Sequence, residues 1–378
     1  MAQEAAGTKA ATVLVLQGGG ALGSYQAGVY ETLEQSSIGL DWVAGISIGA
    51  INAAIIAGNA PADRLSRLRQ FWCEATARAL PVPTAIAAAG GSWLNEAAAA
   101  WTALAGVPGF FAPRLMPPAL QDPGSAGAVS FYDPSGLRAS LARLVDFGRI
   151  NDGPLRLSVG AVNVETGNFT YFDSAQQPIR AEHIMASAAL PPAFPPVEIE
   201  GQHYWDGGLV SNTPLQFVLD AAADRDLLIF QVDLFNARGA VPRTLFDALE
   251  REKDIRYSSR TRLNTDRAVE DHRLRSALRT LLERLPPAER TSPEALLLRT
   301  AATDASRAIA HLIYRRRAYD GHAKDYLFTR PAMIAHWTAG REDVERTLAH
   351  PEWQTHALRA GTTVYDLVEG AGQQELIR

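Results

Sequence analysis

Between Thr12 and Gly58 the chain runs twice through one pattern: a short apolar stretch, a glycine-rich turn, then a helix-forming segment. The first pass reads Thr12 to Gln17 as a strand, Gly18-Gly19-Gly20-Ala21-Leu22-Gly23 as the turn and Ser24 to Gln35 as a helix. The second reads Asp41-Trp42-Val43-Ala44 as a strand running into Gly45, Gly45-Ile46-Ser47-Ile48-Gly49 as the turn and Ile48 to Gly58 as a helix. Alternating β and α elements build an α/β fold, with helices on both faces of one sheet. Downstream, Ala62 to Leu80 reads as another helix, and Leu155 to Val164 and Phe169 to Phe172 flank the hairpin turn Glu165-Thr166-Gly167-Asn168. Leu227 to Leu234 reads as a buried strand.

The second turn carries a serine at its apex. In a G-x-S-x-G elbow the serine occupies a sharp strand-to-helix turn, and the flanking glycines let neighbouring backbone approach without meeting a side chain. Its hydroxyl is thereby presented to substrate. Attack on an ester carbonyl makes an oxyanion, and the amides of Gly18, Gly19 and Gly20, close to a helix N-terminus, are candidate donors for it. Each element has a second meaning when read alone. G-x-S-x-G recurs by chance as a small-residue turn, and Asp206-Gly207-Gly208 is also an ordinary surface turn. A strand, G-x-G-x-x-G and a helix make a dinucleotide fingerprint, with Asp41 near the offset of about 20 residues where a ribose-binding acid stands. That acid should end the second strand, whereas Asp41 opens the run leading to Ser47. A histidine-based triad finds little support among the eight histidines. His183 lies in the helical Arg180 to Leu190, His203 in a hairpin strand and the other six in the C-terminal third, all in contexts that read as packed or solvated side chains.

Taken together, several stretches resemble the patatin-like phospholipases. They are Leu14-Val15-Leu16-Gln17 with the glycine loop, the serine turn extended through Ala50-Ile51-Asn52-Ala53, the run Met185 to Val197, and Tyr204-Trp205-Asp206-Gly207-Gly208-Leu209-Val210-Ser211-Asn212-Thr213-Pro214. Order and spacing match across residues 12–235. The resemblance implies a three-layer α/β sandwich with a mostly parallel central sheet, and a Ser47–Asp206 dyad in place of a triad. It also implies an oxyanion hole at Gly18, Gly19 and Gly20, with Gly23, Gly45, Gly49, Gly207 and Gly208 as supporting motif positions. A free Asp, with a pKa of about 3.9, is a poor base toward an alcohol, so burial must raise the proton affinity of Asp206. Many family members carry Arg or Lys just before the last glycine of the loop, where this chain has Leu22. That departure weakens the case for an anionic headgroup and leaves a neutral ester compatible.

The resemblance divides the chain into a disordered N-terminus at 1–11, a catalytic domain at 12–238 and a helical C-terminal extension at 239–378. Within the catalytic domain, 83–130 is an Ala/Gly/Pro-rich insertion bearing Trp93, Leu94, Trp101, Leu104, Phe110, Phe111, Leu115 and Met116. Two readings stay open for it, a lid meeting lipid or an insertion packed on the core. In the extension, Leu274, Leu278, Leu281, Leu282 and Leu285 predict a packed helix face, and Ile309, Leu312 and Ile313 a second helix leading to Arg315-Arg316-Arg317.

A net charge of −5 argues against nucleic-acid binding. A single cysteine, Cys73, permits no intrachain disulfide and suits a reducing compartment. With no uninterrupted apolar span near 20 residues and no convincing secretion signal, the expectation is a cytoplasmic protein that touches membranes peripherally. No cofactor or metal is called for. The extension resembles that of a bacterial subset of the family often encoded beside 3-hydroxybutyrate dehydrogenase, which implies that enzyme as a partner and hydroxybutyrate esters as substrates. Three classes of function thus stand: a serine acyl hydrolase acting on lipid or other esters, a binding or regulatory protein working through its C-terminal helices, and a dinucleotide-dependent oxidoreductase.

Overall fold

Along the first strand, β1 (Ala11–Leu16), Val13 and Val15 enter one apolar cluster and Leu14 and Leu16 another, all four fully buried. A strand buried on both sides belongs at the centre of a sandwich, and its near-continuous apolar sequence is the mark of a parallel sheet covered on both faces. The computed structural model describes residues 10–78, 92–303, 305–315, 324–356 and 362–366, without the side chains of 92–96, 259–264, 268 and 355–356.

The other strands are β2 (Trp42–Gly45), β3 (Ala112–Pro113), β4 (Tyr132–Asp133), β5 (Arg156–Asn163), β6 (Phe169–Asp173), β7 (Val197–Ile199), β8 (Gln202–Asp206), β9 (Leu227–Asp233), β10 (Arg307–Ile313) and β11 (Thr362–Tyr365). Among the described residues, eight of them join β1 in one nine-stranded sheet in the order β11-β10-β9-β1-β2-β5-β8-β7, with β6 also paired to β5, while β3 and β4 pair separately. From β11 to β5 every pairing along the sheet is parallel, and β6, β7 and β8 join antiparallel.

The helices are α1 (Ser24–Gln35), α2 (Ile48–Ala57), α3 (Pro61–Ala75), α4 (Ser92–Ala105), α5 (Ser135–Leu144), α6 (Phe147–Asp152), α7 (Ala181–Ser187), α8 (Leu215–Ala221), α9 (Leu245–Arg284), α10 (Pro293–Ala301), α11 (Arg330–Ala349) and α12 (Pro351–His356). On one face α1, α2, α3, α7 and α11 pack over Leu14, Leu16, Phe230 and Val232. On the other, Leu215, Val218 and Leu219 of α8 cover Val13, Val15, Leu227 and Ile229. The result is the three-layer α/β sandwich, and no helix among the described residues is long and apolar enough to cross a membrane.

Three expectations change. Residues 307–313, expected to be helical, are strand β10, which extends the parallel sheet from β9 and receives β11 on its outer edge. Ile309, Leu312 and Ile313 satisfy helical spacing, but Ala308 and Ala310 are fully buried too, and a run apolar on every side suits a two-face-buried strand. The region after 238 is thus part of the sandwich as well as helical. Ala11, expected in a disordered leader, opens β1 by pairing with Leu227. In α9 only Leu282 of the expected leucine face is buried, while Leu274 and Leu281 are exposed.

The insertion divides by residue. Phe110 and Phe111 are buried among Tyr132, Phe194 and Phe328, whereas Trp101, Leu104, Leu115 and Met116 are exposed. The helix expected over 62–80 is α3, which ends at Ala75 with Thr76 as its C-cap, while the side chains of Trp93 and Leu94, and Arg316 and Arg317, lie outside the described residues.

Helix α11 packs tightly onto α1. Where α1 crosses α11, a Cβ on Gly28 would stand 1.9 Å from the Trp337 carbonyl oxygen, and one on Gly340 would stand 2.1 Å from that of Tyr25. Backbone meets backbone there, a spacing that only glycine permits.

Candidate active site

Ser47 links β2 to α2 with φ 55° and ψ −124°, a left-handed conformation that non-glycine residues avoid. Such strain costs about 1–3 kcal/mol and persists where surrounding contacts enforce it. Here they are specific: the Ile46 amide donates to the Leu16 carbonyl at 3.1 Å, the Gly49 amide to the Ile46 carbonyl at 2.8 Å, and the Ser47 amide to Ser187 Oγ at 3.1 Å. The flanking glycines admit this crowding. A Cβ on Gly45 would lie 2.3 Å from the Gly49 oxygen, and one on Gly49 would lie 2.4 Å from the Leu16 oxygen. The elbow is therefore pressed against the end of β1, where the glycine loop begins.

Strand β5 brings Asp206 to the same corner. Gly45 pairs with Val159 and Asp206 with Ala161, while β6 occupies the opposite edge of β5. Hence β2 and β8 meet β5 along one edge, and their ends stand two residues apart, about 7 Å at strand rise. Gly207 allows the fit, since its Cβ would approach the Gly160 oxygen to 2.7 Å. Asp206 is buried and accepts the Gly208 amide at 2.7 Å, with the Ser47 hydroxyl near enough to act on its charge. Burial raises its pKa to about 7, against the lowering effect of the Ser47 hydroxyl and the Gly208 amide. A carboxyl held there can gain or lose a proton near neutral pH.

The glycine loop lies alongside. A Cβ on Gly18 would come within 3.0 Å of Ser47 Cβ, and Gly23 packs on Ile48. The three expected donors are not equivalent, because the Gly18 amide is committed to the Asn212 carbonyl at 3.2 Å. Among the described residues no backbone acceptor outside the loop's own turn takes the amides of Gly19 and Gly20. Ile48, the first residue of α2, presents a helix N-terminal amide directly after Ser47.

Two further residues hold this corner and were quoted in the sequence without a role. Asn212 Nδ2 donates to the Gly18 carbonyl at 2.9 Å, closing a two-bond clamp on the loop. Ser187, at the end of α7, anchors the elbow amide. Both lie inside the stretches that carried the resemblance, and their burial in a polar corner would have been the signal. Leu22, the loop residue that departs from the resemblance, is fully buried in the core. His183 is not a base in waiting: burial, with help from Arg180, lowers its pKa to about 4, and its Nδ1 accepts the Arg180 amide at the start of α7. Asp41 accepts the Thr12 amide at 2.8 Å and ties the starts of β1 and β2 together, far from any ribose-binding position at a strand end.

An apolar cleft lined by Phe110, Leu137, Met185, Ala188, Ala189 and Phe194 lies beside Asp206, whose amide donates to the Ala189 carbonyl at 3.0 Å. The site thus joins a poised oxygen, a buried carboxylate, free amides and apolar walls.

A family model described as patatin-like phospholipase matches residues 14–219. A second, described as patatin phospholipase, matches residues 255–359. Lysophospholipase nte1 of Aspergillus terreus is 25% identical over 237 residues, 62% of this chain and 13% of that protein, so the chain spans a small part of its length. Among solved structures, VipD from Legionella pneumophila aligns with a TM-score of 0.39 and 14% identity over 89% of this chain and 66% of its own. The type III effector ExoU, of Pseudomonas aeruginosa, aligns with a TM-score of 0.33 and 14% identity over 89% of this chain and 52% of its own.

Proposed function

The chain belongs to the patatin-like phospholipase family, whose model covers more than half of it, and on that premise we propose that it is a serine acyl hydrolase acting on lipid esters through Ser47 and Asp206. Asp206 takes the Ser47 proton as Oγ attacks the ester carbonyl. The oxyanion rests on the amides of Gly19 and Gly20, with Ile48 at the positive end of the α2 dipole. Collapse expels the alcohol, which recovers the proton from Asp206, and leaves an acyl-enzyme. Water, deprotonated by Asp206, then attacks the acyl carbon, and the second collapse releases the acid and restores Ser47. The buried Leu22, with no cation at that loop position, favours a neutral ester.

The observation that carries this reading is the meeting, along one edge of β5, of a strained Ser47 and a buried carboxylate whose pKa is raised to about 7. Treatment with a fluorophosphonate probe, followed by peptide mapping, should place the adduct on Ser47, and Ser47→Ala should remove it. A panel of phospholipids, monoacylglycerols, short p-nitrophenyl esters and hydroxybutyrate oligomers should show hydrolysis of neutral short-to-medium esters. An adduct elsewhere, or turnover surviving Ser47→Ala, would overturn the assignment.

A further inference from the structure

The glycine loop is held at its start and in its middle by residues that follow β9 in sequence. At its start, Gln17 Nε2 donates to the Tyr257 carbonyl of α9 at 3.1 Å, while Gln17 Oε1 accepts the amides of Leu234 and Phe235 at 2.6 and 3.1 Å. In the middle, Gly20 takes φ +56° with its Cβ position only 2.2 Å from the carbonyl oxygen of Asp325. Asp325 belongs to a short 3-10 turn, Lys324–Tyr326, that packs on the loop.

That turn is gripped by one face of α9. Lys253 Nζ reaches both carboxylate oxygens of Asp325 at 2.9 and 3.0 Å. Lys324, itself buried, pairs with Asp254 at 2.8 Å and Glu250 at 3.3 Å. Positions 250, 253, 254 and 257 follow the i, i+3, i+4, i+7 spacing, so a single helical stripe holds the turn through three side chains and Gln17 through one carbonyl. The same region stands close to the dyad. Burial, and after it the Asp206 and Asp325 carboxylates, push the Tyr257 phenol upward, and Tyr326 responds to burial, Asp325 and Asp206 in the same direction.

We propose that Lys253 and Asp325 are positioning residues for the oxyanion loop: their ion pair fixes the 324–326 turn against Gly20 and so aims the Gly19 and Gly20 amides at the substrate oxygen. This rests on the acyl-hydrolase reading above. It assigns the C-terminal region a share in turnover rather than a separate docking role. A partly misaimed donor costs less than the 100- to 1000-fold typical of a lost one.

The test uses the full chain carrying Lys253→Met, Lys253→Gln, Lys253→Arg, Asp325→Asn or the reversed pair Lys253→Asp with Asp325→Lys. Measured for each are kcat and KM on p-nitrophenyl butyrate, the fluorophosphonate labelling rate, and affinity for a trifluoromethyl ketone, which forms an oxyanion on Ser47, against the matching methyl ketone, which does not. The expected result is kcat lowered about 10-fold in Met, Gln and Asn variants with KM within about 2-fold, on the scale of a weakened oxyanion contact. Trifluoromethyl ketone affinity should fall in parallel, methyl ketone affinity should hold, and Lys253→Arg should restore most of kcat. Unchanged kcat in folded Met, Gln and Asn variants would overturn the proposal. So would equal losses for both ketones tracking thermal stability, the outcome of a merely structural bridge. A wild-type chain that the probe leaves unlabelled would instead overturn the acyl-hydrolase reading, and this proposal with it.

Discussion

Replacing Asp206 by Asn should stabilise the protein at alkaline pH while abolishing turnover. Burial holds the carboxyl at about 7 in the folded chain against an ordinary 3.8. A carboxyl with a raised native pKa holds its proton more tightly when folded, so its contribution to stability is full below pH about 4 and is lost as pH rises through about 7. The difference of about 3 units, at 1.36 kcal/mol each, corresponds to about 4 kcal/mol. Asn keeps the shape of the protonated acid and can accept from Gly208, but cannot acquire the buried charge. For 378 residues, an unfolding entropy of about 2.1 cal/mol/K per residue gives about 0.8 kcal/mol/K, so the full effect is a Tm difference of about 5 °C. Urea and thermal unfolding of wild type and Asp206→Asn from pH 4 to 9 would measure it. The curves should lie within about 1 kcal/mol at pH 4, on the scale of one hydrogen bond, and separate in favour of Asn across pH 4 to 7, with the gap constant above. Subtracting the two cancels every other titrating group. A pH-independent difference, or a wild type more stable than Asn at pH 8, would refute the burial argument and with it the proposed base.

Other consequences follow from the same geometry. The ratio kcat/KM on a neutral ester should rise with pH and level off above an apparent pKa near 7, because only ionised Asp206 accepts the serine proton; a profile flat from pH 5 to 8 would contradict this. Gly49→Ala, whose Cβ would stand 2.4 Å from the Leu16 oxygen, should cost about 3 kcal/mol or more in chemical denaturation and eliminate probe labelling. Gly28→Ala drives a methyl to within 1.9 Å of the Trp337 oxygen at the α1–α11 crossing. It should lower Tm by several degrees while kcat per probe-titrated site changes little, which differential scanning fluorimetry and active-site titration can separate.

The early part of the fold was legible because its signals are local. Helix α1 spans Ser24–Gln35 as the sequence implies, and β2 ends at Gly45 where the serine turn begins. Glycine, apolar alternation and the helix-forming run after Ser47 each act within a few residues. Beyond residue 238 local spacing misled. Ile309, Leu312 and Ile313 fit a helix stripe, yet the vacant edge of β9 takes them as a strand, since pairing there satisfies the backbone of two segments together. Leu274 and Leu281 fit the same kind of stripe and are left exposed.

At the site, the residue types that acyl transfer needs were present in the chain as written: a serine between glycines, a lone aspartate before two more, and a glycine loop. Which amides remain available was not, because the Gly18 donor is consumed by Asn212 from a distant turn. Nor was the basicity of Asp206, which comes from burial, or the grip of Lys253 on Asp325 beside Gly20. Composition and order determine which groups a chain can bring to a reaction. Desolvation and hydrogen-bond competition depend on every neighbour in space, so only the packed tertiary structure decides which of those groups are charged, which are spent and which are left to act.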